Sequence, residues 1–244
     1  MSTDSNQSWA LVTGAGVRLG RASAHRLALS GYNILVHYNS SEEPAKETAD
    51  LVRKAGRQSH VLRADLSCED GVSSLIEQTK AITPALGALI NNAAIFYPST
   101  SPKKWVEHWD HFQWVNLKSP FLLTVGLLEE LRAGKGSVVN IVDIWSRFPL
   151  RKFLPYSVAK AGLEALTRSL ALELAPDIRV NGVSPGAALP ASGSEGQLDK
   201  MLTQVPLGKL GGAEAIAEAV DFFCRADYVT GQILPVDGGR TINL

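Results

Sequence analysis

The architecture of this 244-residue chain is set by residues 9–20, which read WALVTGAGVRLG. The apolar run 9–13 predicts a buried strand, the glycines after it predict a turn, and a helical pattern begins at Leu19. Glycines allow tight turning and close ligand approach, and a helix N-terminus presents N–H groups to an anion. The stretch therefore predicts a phosphate-binding loop with contacts from Gly14, Arg18, Leu19 and Gly20.

Outward from this loop, apolar runs and helical patterns alternate along the whole chain. Further strands are predicted at 33–38, 59–64, 87–90, 137–142, 178–183 and 232–236. Further helices are predicted at 43–55, 69–82, 103–131 with a break near Pro120, 157–174 and 214–224. Because such alternation produces right-handed crossovers, we expect an α/β fold. Its core would be one doubly wound parallel sheet in a three-layer α/β/α arrangement.

The chain shows no linker and no internal repeat, so residues 9–244 are predicted to form one domain. Residues 1–8 are polar and lack the apolar core of a signal peptide, which predicts a disordered tail. Residues 187–212 are rich in Gly, Ala, Ser and Pro and have little periodicity. Such a long loop predicts a substrate lid, and a disordered insert is the alternative.

The composition argues against several classes of protein. The 24 basic and 24 acidic side chains balance, and no basic stripe indicates a nucleic-acid surface. No apolar run approaches the length of a membrane span. Cys68 and Cys224 suit a reduced, cytoplasmic protein, and neither belongs to a Cys/His cluster, so we expect no metal.

The end of the second predicted strand bears on the choice of cofactor. NAD-binding proteins usually place an acidic residue there to accept from the ribose 2′-hydroxyl. This chain has no carboxylate before Glu42 and offers instead His37, Tyr38, Ser40 and Ser41. Together with Arg18 from the glycine loop, these groups suit a 2′-phosphate, which predicts NADPH over NADH. The alternative is a solvated Arg18 and a Glu42 that turns back towards the ribose.

The next two strands also end in candidate nucleotide contacts. Asp65, followed by Leu66, is a candidate either for bonding the adenine edge or for capping the next helix. Asn92 and Ala93 are small or amide residues, so the backbone there can approach a nucleotide. We expect all four residues to contact the cofactor.

Five side chains later in the chain are candidates for the chemistry. Tyr156 and Lys160 share one helix face, and an ammonium beside a phenol lowers the phenol pKa, which makes Tyr156 a proton donor. Asp143 follows the strand at 137–142, where open α/β sheets place their sites. Asn116 either holds a water near Lys160 or satisfies a backbone group. Phe96 either stacks on a flat ligand ring or covers the core.

In their order along the chain, these residues resemble the short-chain dehydrogenases/reductases, which have Rossmann-type folds. The matching residues are Thr13-Gly14 through Gly20, Asn91-Asn92-Ala93, Asn116, Tyr156-x-x-x-Lys160, Pro185-Gly186 and Asp237-Gly238-Gly239. The resemblance covers nearly the whole chain. It implies catalytic roles for Asn116, Tyr156 and Lys160, further cofactor contacts from Pro185 and Gly186, and a homotetramer.

Two departures from the common family pattern resemble one branch, the pteridine reductases. Arg18 stands at the usual middle glycine of the loop, and Asp143 stands at the usual catalytic serine. In that branch the arginine touches cofactor phosphate and pterin, and a phenylalanine sandwiches the pterin against the nicotinamide. The resemblance assigns these roles to Arg18 and Phe96. We add Leu189, in the predicted lid, as a substrate contact.

The aspartate changes the expected substrate. An ionised Asp143 cannot donate to a ketone oxygen, and it would repel the developing oxyanion by about 4 kcal/mol at ~4 Å with an effective dielectric near 20. A pterin instead presents ring N–H and amino donors, which a carboxylate accepts well. We therefore expect an NADPH-dependent reductase of dihydropteridine C=N bonds, with Tyr156 as the proton donor and Lys160 on the ribose hydroxyls.

Two other functions remain open from the sequence. The nearest is an NADPH-dependent ketone or 3-oxoacyl thioester reductase of the same family. The other is a catalytically silent NADPH-binding protein, which the intact set of Asn116, Tyr156 and Lys160 disfavours.

Overall fold

A computed structural model describes residues 8–186 and 202–243 of the chain. The strands form one seven-stranded parallel sheet in the order β3-β2-β1-β4-β5-β6-β7, which confirms the predicted α/β class. The strands are β1 (Trp9–Val12), β2 (Asn33–Tyr38), β3 (Ser59–Arg63), β4 (Leu86–Asn91), β5 (Ser137–Ile141), β6 (Arg179–Pro185) and β7 (Ile233–Val236).

Helices cover both faces of the sheet. They are α1 (Arg18–Leu29), α2 (Glu42–Lys54), α3 (Glu69–Ile82), α4 (Pro102–Gln113), α5 (Ser119–Gly126), α6 (Leu128–Ala133), α7 (Leu154–Leu174) and α8 (Gly212–Arg225). Short turns of other helix types occur at Trp114–Lys118, which is π-helical, and at Ile144–Ser146 and Arg240–Asn243, which are 3₁₀.

The central strands are buried on both faces because each face carries its own apolar layer. In β1, Ala10 and Val12 join the cluster beneath α1, α2 and α8, whereas Leu11 joins the cluster beneath α3, α5 and α7. All three side chains are fully buried. This alternation explains why the run reads as continuously apolar, as expected for a strand of a covered parallel sheet.

Two predicted helix boundaries differ from the structure. The helix predicted over 103–131 is interrupted by the π-helical turn Trp114–Lys118 and again at Leu127, and not at Pro120. Pro120 lies in the first turn of α5, a position where a missing N–H costs little. Helix α7 begins at Leu154, earlier than predicted, so Tyr156 is in its first turn.

The predicted tail is described only at Ser8, and most of the predicted lid, with Leu189, lies outside the described residues. In the described remainder of that loop, Val205 is buried, and α8 begins at Gly212. No helix in the two described ranges has the length and apolar character to cross a membrane. Within the same ranges, no group of three or more His, Cys, Asp or Glu side chains could hold a metal ion.

Candidate active site

A cleft of about 650 Å³ opens at the carboxyl ends of β1, β2 and β4. The strand order reverses between β1 and β4, which is where open α/β sheets bind ligands. The cleft brings together most of the predicted cofactor contacts, namely Gly14, Arg18, Leu19, Gly20, His37, Asp65, Leu66, Asn92, Ala93 and Tyr156. It is also lined by Phe96 and by residues that the sequence analysis did not select, among them Asn39, His111 and Val115.

The glycine loop has the geometry of an anion site. Gly14 has a φ of +62°, and a Cβ at Gly20 would lie 2.2 Å from the Gly14 carbonyl oxygen, so both positions require glycine. The N-cap of α1 is Val17, and no side chain caps this helix N-terminus. The first turn of α1 contains no acidic residue. These features fit the pyrophosphate of a dinucleotide, which would take the helix N–H groups.

Thr13 and Asn92 tie the glycine loop to the end of β4. The Thr13 hydroxyl accepts from the backbone N–H groups of Asn92 and Ala93, both at 2.9 Å. The Asn92 amide donates in return to the Thr13 carbonyl at 2.8 Å and to the Gly14 carbonyl at 3.2 Å. The cofactor contact predicted for Asn92 stays a prediction, and the structure shows its amide bonded to the loop itself.

His37 supports the loop as a neutral ring. Its Nδ1 accepts from the Gly14 N–H at 3.1 Å, and its Nε2 lies 3.1 Å from the Ala64 carbonyl oxygen. Burial lowers the pKa of His37 to about 4, against the opposing effects of Ala64 and Asp65. Both ring nitrogens are therefore occupied by the protein. His37 lines the cleft, so its contact with the cofactor stays a prediction, although an uncharged ring with both nitrogens bonded disfavours a role as a phosphate ligand.

The remaining side chains near the end of β2 lie in different surroundings. Tyr38 is buried in the core, Ser40 is exposed, and neither these two nor Ser41 line the cleft. Their contacts with the cofactor stay a prediction. Glu42 forms a 2.9 Å ion pair with Lys46 one turn along α2. This pair disfavours the alternative in which Glu42 turns back to a ribose.

Asp65 organises the turn after β3. Its Oδ1 accepts from the Ser67 N–H at 2.9 Å and from the Asn39 amide at 3.4 Å. Hydrogen bonds from Ser67 lower the pKa of Asp65. The N-cap of α3 is Cys68, so the structure contradicts the alternative in which Asp65 caps this helix. Asp65 lines the cleft.

The carboxylate of Asp143 faces the phenol of Tyr156. The Tyr156 hydroxyl donates to Asp143 Oδ2 at 2.5 Å, and the Trp145 N–H donates to Oδ1 at 3.0 Å. Burial raises the pKa of Asp143, while the Tyr156 and Trp145 hydrogen bonds and the charges of Lys160 and Arg240 act in the opposite direction. The Asp143 carboxylate therefore contacts the candidate proton donor from a partly exposed position, and its contact with the substrate stays a prediction.

Lys160 does not act on Tyr156 as predicted. Its Nζ donates to the Ile141 carbonyl at 2.7 Å, and burial lowers its pKa to about 8. Burial, followed by the charge and hydrogen bond of Asp143, raises the pKa of Tyr156 well above 10. The predicted lowering of the Tyr156 pKa is wrong for this state of the protein. The main cause is burial of the phenol, and the Asp143 carboxylate acts in the same direction.

Asn116 lies in the π-helical turn Trp114–Lys118 and is buried. Its amide nitrogen donates to the Ile95 carbonyl at 3.0 Å, and its amide oxygen accepts from the Ile95 N–H at 2.9 Å. Of the two alternatives, the structure therefore shows the second, in which Asn116 satisfies a backbone group. The result is to fix the segment after β4 that carries Phe96.

Phe96 lines the cleft and is 49% exposed, so it does not cover the core. Its ring stacks on Phe153, with centroids 4.5 Å apart and planes at 13°. It also meets the edge of the Tyr156 ring at 4.8 Å. Phe96 is thus an aromatic surface beside the candidate proton donor, as expected for a side chain that stacks on a flat ligand. The sequence analysis missed Phe153, because nothing in its local pattern distinguishes it from a core residue.

Two motifs of the resemblance, Pro185-Gly186 and Asp237-Gly238-Gly239, pack against each other in this structure. A Cβ at Gly186 would lie 2.3 Å from Asp237 Cβ, so the two chain segments can meet only at a glycine. Asp237 accepts from the N–H groups of Gly239 at 2.9 Å and Thr241 at 2.8 Å. Neither Pro185 nor Gly186 lines the described cleft, so their cofactor contacts stay a prediction.

Buried Glu164 connects the two elements that carry the candidate catalytic residues. It accepts from Ser146 Oγ at 2.7 Å, from Arg147 Nε at 2.8 Å and from Arg168 at 2.5 Å. Burial raises its pKa, but these hydrogen bonds outweigh that effect and lower the pKa to about 2. The sequence analysis missed Glu164; its position one turn after Lys160 was the available signal.

One family profile, described as enoyl-(acyl carrier protein) reductase, matches residues 14–241. Relatives of similar length also match. An uncharacterized oxidoreductase of Bacillus subtilis, YmfI, is 33% identical over an alignment of 238 residues that covers 94% of this chain and 97% of that protein. The 3-oxoacyl-[acyl-carrier-protein] reductase FabG of Staphylococcus aureus is 33% identical over 237 residues, covering 94% and 96%.

Two further proteins extend this comparison. The 3beta-hydroxysteroid dehydrogenase 1 of Eggerthella lenta is 33% identical over 242 residues, covering 95% of this chain and 93% of its own. The crystal structure of acetoin dehydrogenase from Enterobacter cloacae superposes with a TM-score of 0.89 at 30% identity, covering 98% of both chains. Three of the four names refer to oxidation or reduction at a carbonyl or hydroxyl carbon.

Proposed function

The chain belongs to the short-chain dehydrogenase/reductase family of oxidoreductases, and from this premise we propose that it is an NADPH-dependent pteridine reductase. Its substrates would be dihydropteridines, in which a C=N bond is reduced. The observation that carries the proposal is the Asp143 carboxylate, which accepts the hydrogen bond of the Tyr156 phenol at 2.5 Å. Members of this family use nicotinamide cofactors, and the cleft beside the glycine loop has the form to hold one.

The carboxylate favours a substrate with hydrogen-bond donors. Both Asp143 oxygens accept in the structure, one from Tyr156 and one from the Trp145 N–H. A group that accepts from both sides is suited to the ring N–H and amino groups of a pterin. Phe96, half exposed beside Tyr156, offers the flat surface on which such a ring would stack.

Tyr156 is the proposed proton donor to the nitrogen of the reduced bond. Its raised pKa keeps the phenol protonated at neutral pH, and its O–H points at Asp143 Oδ2. A substrate nitrogen that takes the place of Asp143 as the partner of the Tyr156 hydroxyl would receive that proton, while Asp143 accepts from a neighbouring substrate N–H. Lys160, which donates to the Ile141 carbonyl in this structure, would keep the role that the resemblance implies, a contact with the ribose hydroxyls of the cofactor. A nicotinamide bound in the cleft would supply the hydride.

The choice of NADPH over NADH rests on two charged residues near the end of β2, Glu42 and Arg18. Glu42 forms an exposed ion pair with Lys46, which disfavours it as the acceptor for a ribose 2′-hydroxyl. The exposed Arg18 lines the cleft with a φ of 52° at the start of α1, where a cation suits a 2′-phosphate. Steady-state KM values for NADPH and NADH test this assignment, and a preference for NADH would reject it.

Reduction of a ketone or 3-oxoacyl thioester is the second candidate, and the names of the relatives support it better than they support a pteridine. Protonation of Asp143 would make reduction of a ketone possible at this site. Burial raises the pKa of Asp143, and a protonated aspartic acid could donate to a ketone oxygen. Against it stand the Trp145 and Tyr156 donors and the two nearby cations, which all favour the ionised form.

A substrate panel separates these candidates. Purified protein with NADPH is offered 7,8-dihydrobiopterin, dihydrofolate, acetoacetyl thioester and acetoin-type ketones, and the cofactor absorbance is followed. The proposal expects turnover of the pteridines with a far higher kcat/KM than that of any ketone. Turnover of ketones alone would overturn it in favour of the second candidate. Cofactor binding with no turnover would instead indicate a silent NADPH-binding protein.

We also propose a homotetramer, built partly through α4 and α7. Several large apolar side chains of these two helices are exposed, namely Trp105, Val106, Trp109, Leu154 and Val158. Such a surface on a monomer usually marks an interface. Light scattering coupled to size-exclusion chromatography tests the assembly, and Val106→Glu with Val158→Glu is expected to dissociate it. A monomeric wild-type protein would contradict the proposal.

A further inference from the structure

Arg240 places a guanidinium within charge-interaction range of the candidate catalytic carboxylate, Asp143. It begins the short turn Arg240–Asn243 beyond β7, and its guanidinium carbon is 5.0 Å from the centroid of the Trp145 ring. The backbone N–H of the same tryptophan donates to Asp143. Arg240 and Asp143 also shift each other's pKa in the directions expected for opposite charges in proximity. Trp145 thus contacts both charged groups: its backbone N–H donates to Asp143, and its ring packs against Arg240.

The charge of Arg240 has no carboxylate partner in the part of the chain that the structure describes. Asp143 is occupied by Tyr156 and Trp145, and Asp237 accepts from backbone N–H groups. One Arg240 nitrogen donates to Gln204 Oε1 at 2.9 Å, whereas its Nε is buried without a hydrogen-bond partner. A buried donor of a cationic group is costly when it is unpaired, so this edge requires an acceptor.

The guanidinium is held in place before any ligand arrives. Trp145 supports its face and Gln204 holds one of its nitrogens. Gln204 is itself held, because its backbone carbonyl accepts from the Asn243 amide at 3.4 Å. A planar, fixed guanidinium whose buried Nε–H has no acceptor matches an oxygen of a carboxylate or phosphate.

We propose that Arg240 binds an anionic group, a carboxylate or a phosphate, that the substrate carries beyond the bond that is reduced. The inference rests on the proposed function only in taking the reduced bond to lie at Asp143 and Tyr156. The substrate class becomes an acid: a pteridine with a carboxylate or phosphate tail, as opposed to a bare pterin. An acidic ketone would present the same anion to the same residue.

The test compares substrates that differ in the anion alone. One arm pairs dihydrofolate with 6-methyl-7,8-dihydropterin, and the other pairs the phosphate ester of dihydroneopterin with dihydroneopterin. In Arg240→Met, KM for the anionic member should rise about tenfold or more, the size of one charge-assisted hydrogen bond, with kcat nearly unchanged. The neutral member should be unaffected, and Arg240→Lys should recover part of the loss. The arm that responds identifies a carboxylate or a phosphate as the ligand.

The matched control is Arg151→Met, because Arg151 is an exposed arginine ahead of α7 and outside the proposed site. It should leave both members of each pair unchanged. Equal effects of Arg240→Met on both members, as a folding defect would produce, overturn the proposal, and so does no effect on either.

A third pair keeps this inference separate from the proposed function. Acetoacetate and its neutral methyl ester are ketones that differ only in the carboxylate, so they test Arg240 with ketone substrates. If the protein reduces these and no pteridine, the pteridine proposal fails, and the response of acetoacetate to Arg240→Met decides the role of Arg240. If none of the substrates is turned over, both proposals are overturned.

Discussion

The phenol of Tyr156 donates its hydrogen bond to Asp143, where an ordinary member of the family would have a serine hydroxyl. This contact makes the pKa values of the two groups depend on one another. Burial and then Asp143 raise the pKa of Tyr156, whereas burial raises the pKa of Asp143 and the hydrogen bond from Tyr156 opposes that rise. The two groups therefore titrate as one unit. Replacing Asp143 by asparagine removes the negative charge of this unit and keeps the size of the side chain.

Asp143→Asn is expected to lower kcat/KM for dihydropteridines by about tenfold or more, because a charged acceptor is replaced by a neutral amide. Burial raises the pKa of Asp143 above 3.8, so wild-type activity should fall as the pH drops through that raised value. The variant should lack this acid limb in a profile of kcat/KM against pH. Asp110→Asn, which changes an exposed acid on α4, is the control. An acid limb that persists in Asp143→Asn would belong to another group.

Glu164→Gln is expected to destabilise the fold by about 1–3 kcal/mol, because two arginines lose a buried acceptor. The pKa of Glu164 is lowered to about 2, so its contribution is present above pH 4.5 and is lost as the pH falls from 4.5 towards 2. Urea denaturation at several pH values measures the gap between wild type and variant, which should narrow in that window. Exposed Glu173 on the same helix supplies the control Glu173→Gln. A constant gap would argue against this account.

His37→Gln is expected to flatten the dependence of stability on pH. The pKa of His37 falls from 6.5 to about 4 on folding, so the unfolded chain binds more protons between these values. Wild-type stability is then full above pH 6.5 and is lost as the pH falls to 4. Thermal denaturation across this range should show the loss in the wild type and in His60→Gln, a change at an exposed histidine of β3. An unchanged slope in His37→Gln would contradict the prediction.

Gly20→Ala is expected to weaken NADPH binding and to cost about 1–3 kcal/mol of stability through overpacking. The added Cβ would lie 2.2 Å from the Gly14 carbonyl oxygen and 2.6 Å from the Asn92 amide nitrogen, which close the phosphate-binding loop. Titration of NADPH fluorescence measures the affinity. Ser23→Ala in the same helix is the control, because the Ser23 hydroxyl is buried without a partner and its removal should be harmless. Equal affinities in the two variants would count against the proposed loop.

Local pattern was sufficient for the sheet, for the glycine loop and for the spacing that puts Tyr156 and Lys160 on one helix face. Apolar periodicity and turn residues act over a few positions, and the structure has strands at the predicted places. The helical segment that starts at Pro102 breaks at the π-helical turn Trp114–Lys118 and not at Pro120, because that turn depends on a contact outside the local pattern. The π-helical turn that carries Asn116 is held by Ile95, a residue distant in the chain.

Charge states and partners depended on the folded chain. The amino-acid order contains the phenol, the ammonium and the carboxylate, but not the fact that Lys160 donates to Ile141 while Asp143 receives the Tyr156 hydroxyl. Nor does it show that Arg240 meets Trp145, or that both nitrogens of His37 are occupied by backbone groups. A pKa responds to burial and to charges within a few ångströms, and those distances exist only after distant segments have packed together.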